Sequence, residues 1–148
     1  MIITKHLCNE RPTNADISAF EKLVHGTLPE DYKAFLKNQN GGWPEPSLFR
    51  FTTPAGRAED STVHYFYALY EGRVGNLKNT LEILKGRIPS DCLPIGKDPF
   101  GNIILLGIAD QNLGRVYFWD HEKEDENSTT ANISPIAPSF SEFVEQLA

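Results

Sequence analysis

Apolar positions fall most densely between Leu93 and Glu122, LPIGKDPFGNIILLGIADQNLGRVYFWDHE. Leu93-Pro94-Ile95 leads into Asp98-Pro99-Phe100-Gly101, which carries the Asp, Pro and Gly positions of a type I turn. Ile103-Ile104-Leu105-Leu106 is apolar on both faces, as expected of a strand covered on two sides, and predicts a central place in a sheet. Ala109 to Gly114 is polar, ends in Gly and predicts a hairpin loop. Val116-Tyr117-Phe118-Trp119 then runs back as a β-branched and aromatic strand. An antiparallel meander over about 93–119 follows from this pattern.

Around it the period changes to that of helices. Thr13 or Asn14 caps a first helix with Asp16 in its first turn. Ile17, Phe20 and Leu23 or Val24 form its stripe, and Gly26 closes it. A second helix has Pro29 at its first position, Glu30 and Asp31 at its positive end, and the stripe Tyr32, Phe35, Leu36. Asn40-Gly41-Gly42 stops it. Asn76 caps a third, with Leu77, Leu81 and Leu84 at helical spacing and Gly86 at its end. Ser139-Phe140-Ser141-Glu142 matches a capping box, and Phe140, Phe143, Val144 and Leu147 are the buried face of a last helix.

The remaining segments read less regularly. Ile2 and Ile3 could pair at a sheet edge or fray. Trp43 to Pro46 reads as a stiff extended link. Leu48, Phe49 and Phe51 begin a strand halted by Thr53 to Gly56, and Arg57 to Ser61 is a polar excursion. Val63 to Tyr70 is an aromatic strand candidate whose last residues could instead begin a turn, and Ile133 to Ala137 adds a short edge strand. The expected architecture is one α+β domain spanning 1–148, with a mixed, mostly antiparallel sheet and helices packed against it.

A length of 148 residues suits one core, and 40% hydrophobic with 11% aromatic content argues against disorder. No apolar run approaches the ~18 residues of a membrane helix. The N-terminus turns polar too soon for a signal core, so the expectation is a cytoplasmic protein without membrane partners. Cys8 and Cys92 stand alone, as reduced structural thiols would. His121 to Asp125 imitates HExxH, but its fifth residue is Asp. No nucleophile elbow, phosphate loop or metal spacing is present, so no catalytic residue, metal site or cofactor is expected.

Charge is informative through its placement. Residues 1–50 and 51–100 each carry six basic and six acidic side chains, whereas the last 48 carry two basic and eight acidic. The net charge of −6 therefore resides in the last third, where Asp120, Glu122, Glu124, Asp125 and Glu126 crowd together. The segment is either a solvated loop or a surface for a basic partner. Direct nucleic-acid binding is disfavoured, because no Lys/Arg cluster is present to neutralise phosphates. Trp43 and Trp119 are candidate aromatic anchors, and with Tyr117 could line a small-ligand pocket. Ordinary packing is the alternative for all three.

Several stretches together resemble the Smi1/Knr4 family of the SUKH superfamily. They are Leu28-Pro29 with Tyr32, Phe35-Leu36 and Asn40-Gly41-Gly42; Leu93-Pro94-Ile95-Gly96 with Asp98 and Phe100-Gly101-Asn102; Val116 to His121; and the closing Ser139…Phe143 helix. They occur in family order over residues 28 to 147, and residues 1–12 match nothing. The resemblance implies the same α+β fold and a non-enzymatic role. For a bacterial member without disordered extensions, it implies an immunity protein that binds a cognate toxin, often a nuclease. A regulatory scaffold or small-ligand sensor is the alternative. The resemblance carries over no binding residue.

Overall fold

A computed structural model describes residues 1–148. The meander is its centre. Strands β6 (Cys92–Lys97), β7 (Ile103–Gly107) and β8 (Val116–Trp119) are antiparallel, and β5 (Tyr65–Phe66) and β9 (Ile133–Ala137) flank them in the order β5-β6-β7-β8-β9. The chain also forms α1 (Asn14–Val24), α2 (Glu30–Asn38), α3 (Leu77–Leu84) and α4 (Phe140–Gln146). No helix is long and apolar enough to cross a membrane.

Alternation along the strands explains why β7 is apolar throughout. Ile104 and Leu106 enter the main core with Val116 and Phe118 of β8, beneath α1, α2 and α4. Ile103 and Leu105 face the other way, into a smaller core with Trp119, Cys92, Ile88 and Leu84 of α3. Both faces of β7 are thus covered, and every β7 residue is buried. Phe143 of α4 is fully buried and meets Phe49 and Phe66 edge-on at 5.5 and 6.3 Å. Tyr32 of α2 packs edge-on against Phe140 at 5.1 Å.

Helix boundaries differ from expectation by single residues. Thr13 is the N-cap of α1 and forms a full capping box with Asp16. His25, at φ 54°, ends that helix in the left-handed conformation expected of Gly26. Gly26 is required for another reason: a β-carbon there would lie 2.7 Å from Ile108 Cδ1. Leu23 is exposed, and Val24 completes the stripe. Pro29 is the N-cap of α2, one residue outside the helix.

Three irregular segments differ in whole or in part from the pattern-based expectation. Trp43–Glu45 is strand β2, antiparallel to β1 (Ile2–Lys5), which settles the role of Ile2 and Ile3. Polar Ala58–Thr62 is strand β4, paired residue for residue with β3 (Leu48–Thr52). Pairing, not propensity, makes it a strand. Of Val63 to Tyr70 only Tyr65–Phe66 is strand. Beyond it the fully buried Asn40 takes the place of a neighbouring strand: Leu69 N–H donates to Asn40 Oδ1 (2.9 Å), and Asn40 Nδ2 donates to Leu69 O (3.0 Å).

Packing gives a paired prediction. Phe143→Ala should lower stability by about 3–5 kcal/mol in urea titration, because a fully buried ring leaves a cavity. Tyr32 is equally buried, yet its hydroxyl has no hydrogen-bond partner, and burial pushes its pKa up. Tyr32→Phe should therefore cost less than about 1 kcal/mol, or stabilise, since it removes an unsatisfied buried group.

Candidate functional site

The site is built at the end of the sheet where β6 turns into β7 and β8 leaves. Asp98 starts the turn and is 1% exposed. Its Oδ1 accepts from Phe100 N–H (2.9 Å) and Asn102 N–H (2.8 Å). Its Oδ2 accepts from Asn102 Nδ2 (2.8 Å) and from the Ser61 hydroxyl of β4 (2.9 Å). The Asp98 N–H donates back to Asn102 O (3.0 Å) and closes the loop. Gly101, at φ 92°, supplies the left-handed residue the turn needs.

Asn102 passes the order on. Its Oδ1 accepts the His121 N–H (3.1 Å) and lies 2.7 Å from His121 Nδ1, which must carry the proton because an amide oxygen only accepts. His121 begins a short 3-10 helix, His121–Lys123, capped by Asp120, whose Oδ1 accepts from Glu122 N–H (3.0 Å). Asn132 closes the base of the loop: its Nδ2 donates to Asp120 O (2.8 Å) and its O accepts from Asp120 N–H (3.1 Å).

The acidic residues divide into two kinds. Glu124 is held bidentately by Arg87, at 2.6 Å from Nη2 and 3.2 Å from Nε. The Arg87 guanidinium beside Glu124 holds its carboxyl below the usual range, and the same bond raises Arg87. Asp120 is half-buried, caps the short helix and lies 3.8 Å from Lys123 Nζ. By contrast, Glu122, Asp125 and Glu126 are exposed and form no salt bridge. The Asp125 carboxylate accepts the Asn127 N–H (2.9 Å). The segment is solvated, but it is pinned at His121, Glu124 and Asn132.

A family model of the SMI1 / KNR4 family (SUKH-1) matches residues 11–146, a span that contains all of this site. The chain belongs to that family. Strand β1 lies before the matched span. The chain is also similar to a Bacillus subtilis (strain 168) protein described as SPbeta prophage-derived uncharacterized protein YokK. The two are 28% identical, with 91% of this chain and 74% of the relative aligned.

Of the aromatic candidates, Trp119 must be withdrawn as a surface anchor. It is 1% exposed, in the smaller core, with Arg87 stacked over its ring at 5.4 Å. Alternation along β8 sends it inward. Trp43 is half-buried, packed on Tyr65 at 4.9 Å beneath Lys5. It stands near β5, three strand spacings or about 14 Å from β8, so the fold does not join it to the acidic segment. A hollow of about 660 Å³ runs between β3–β4 and β9 and is lined by Arg50, Asp60 and Ile136 among others. Another, about 430 Å³, lies between the N-terminal segment, α1 and Tyr70. Neither includes Trp43, Tyr117 or Trp119. The side chain that sequence reasoning passed over is Phe100, 72% exposed at the turn. Its signal was available: a turn of this composition needs no aromatic at its third position.

Asp98→Ala should destabilise the fold by about 3 kcal/mol or more, because four donors lose their acceptor. Chemical denaturation, with amide exchange at Phe100 and Asn102, is the check. In a carboxylate NMR titration Glu124 should ionise below the ordinary Glu range. Because its folded pKa is lowered, the Arg87 latch is complete at neutral pH and is lost as pH falls through that lowered value. Arg87→Gln should return Glu124 toward the ordinary range.

Proposed function

We propose that the protein is a non-enzymatic binding module of the cytoplasm, an immunity protein that neutralises a toxin of basic surface by occupying it. The observation that carries this reading is a pinned acidic segment with three carboxylates free of ion pairs, in a member of the SMI1/KNR4 family. A toxin that cuts nucleic acid must present basic surface to phosphate, and an inhibitor gains by placing carboxylates there instead. For the Bacillus subtilis relative, a prophage origin fits a protein carried on a mobile element. Protective inhibition needs tight binding; nanomolar affinity is about −12 kcal/mol.

The proposal expects a toxin to be encoded beside this gene, and expression of that neighbouring gene should arrest growth. Co-expression of this protein should restore it, and the two products should co-elute on gel filtration. Absence of both rescue and complex would refute the proposal. Within the complex, replacing Glu122, Asp125 and Glu126 by Gln or Asn should slow association about tenfold at low salt and less at high salt. Glu124 is left in place because its carboxylate holds Arg87. Circular dichroism should show an unchanged fold, since exposed positions contribute little to stability.

A further inference from the structure

Phe100 is the most exposed large apolar side chain in the chain, at 72%. The turn that carries it is satisfied by Asp98, Pro99 and Gly101, and its third position accepts most residues. A lone exposed apolar residue is ordinary on a soluble protein. Here, however, the backbone beneath the ring is fixed. The Phe100 N–H is bonded to the buried Asp98 carboxylate. The Gly101 backbone packs against His121 so closely that a β-carbon would lie 3.2 Å from its ring. Asn102 ties the turn to the same histidine. A side chain displayed in this way loses little backbone freedom on binding, and that preorganisation favours affinity.

Its neighbourhood indicates what it meets. His121, against the Phe100 turn, opens the segment in which Glu122, Asp125 and Glu126 lack ion pairs. An apolar ring on a turn tied through His121 to a segment with uncompensated carboxylates is complementary to an apolar pocket bordered by Lys or Arg. We infer that Phe100 is the anchor of the partner interface, inserting into such a pocket on a basic protein while the carboxylates lie at the rim. The inference rests on the binding-module reading above and adds which side chain carries the affinity. Desolvated aromatics at the centre of an interface slow dissociation, whereas rim charges chiefly set association.

The probe is the product of the neighbouring gene whose toxicity this protein relieves in the co-expression experiment, purified as a variant that no longer arrests growth. Biolayer interferometry compares wild type, Phe100→Ala, Phe100→Leu and the triple carboxylate variant. Phe100→Ala should dissociate about tenfold faster or more, with association rate and salt dependence unchanged. Phe100→Leu should fall between, and both should melt at the wild-type temperature because the ring is exposed. The triple variant should show the opposite pattern, with slow association and near-normal dissociation. Wild-type dissociation from Phe100→Ala overturns the anchor and leaves the binding reading standing. Failure of wild type to bind the probe overturns both.

Discussion

A carboxylate with no cation beside it can leave water only if donors replace the water. Asp98 meets that condition with four of them, two on each oxygen, and forms no salt bridge. The donors come from separate places in the chain: Ser61 from the β3–β4 hairpin, and Phe100 and Asn102 from the turn itself. Burying Asp98 therefore assembles one end of the molecule. Asn102 extends that order to His121 and so to the start of the acidic segment. The charged surface has a defined position because an interior carboxylate needed solvation.

The sheet supplies the platform for this cluster. Its two faces are unequal: one lies under α1, α2 and α4, and the other is closed by α3 with Ile88 and Cys92. Burial in that smaller core pushes the Cys92 thiol up to about 12, which keeps it protonated and inert. Arg87, just past α3, joins the smaller core to the surface. It stacks on Trp119 and grips Glu124, so the acidic segment is fastened to the core as well as to the turn.

Elements whose own residues hold enough apolar periodicity were legible in the sequence. The meander declared itself because β7 is apolar on both faces. α2 declared itself through Tyr32, Phe35 and Leu36, all buried. Elements made by pairing were not. β4 reads AEDST and is a strand only because β3 lies beside it. β2 contains Pro44, a residue that argues against a strand until its place in a two-stranded pair with β1 is known. The stretch after Phe66 has strand-like composition, but Asn40 completes its hydrogen bonds in place of another strand.

The site shows the same division. Counting charge located the acidic segment, yet a count cannot separate carboxylates engaged within the molecule from free ones. Asp120 caps its short helix and lies near Lys123, and Glu124 is paired with Arg87, leaving Glu122, Asp125 and Glu126 without a cation partner. Aromatics follow a parallel logic. Trp119 looked the better anchor by size, but its strand parity buries it; Phe100, in a turn, has no core position to occupy. A charged partner is attracted by charge that the fold has left uncompensated. Three carboxylates without a cation and one exposed phenyl ring stand at this end of the sheet. Carboxylates act over distance and a ring only on contact, so in the proposed complex the two would divide the work, the charges attracting a basic partner and the ring holding it.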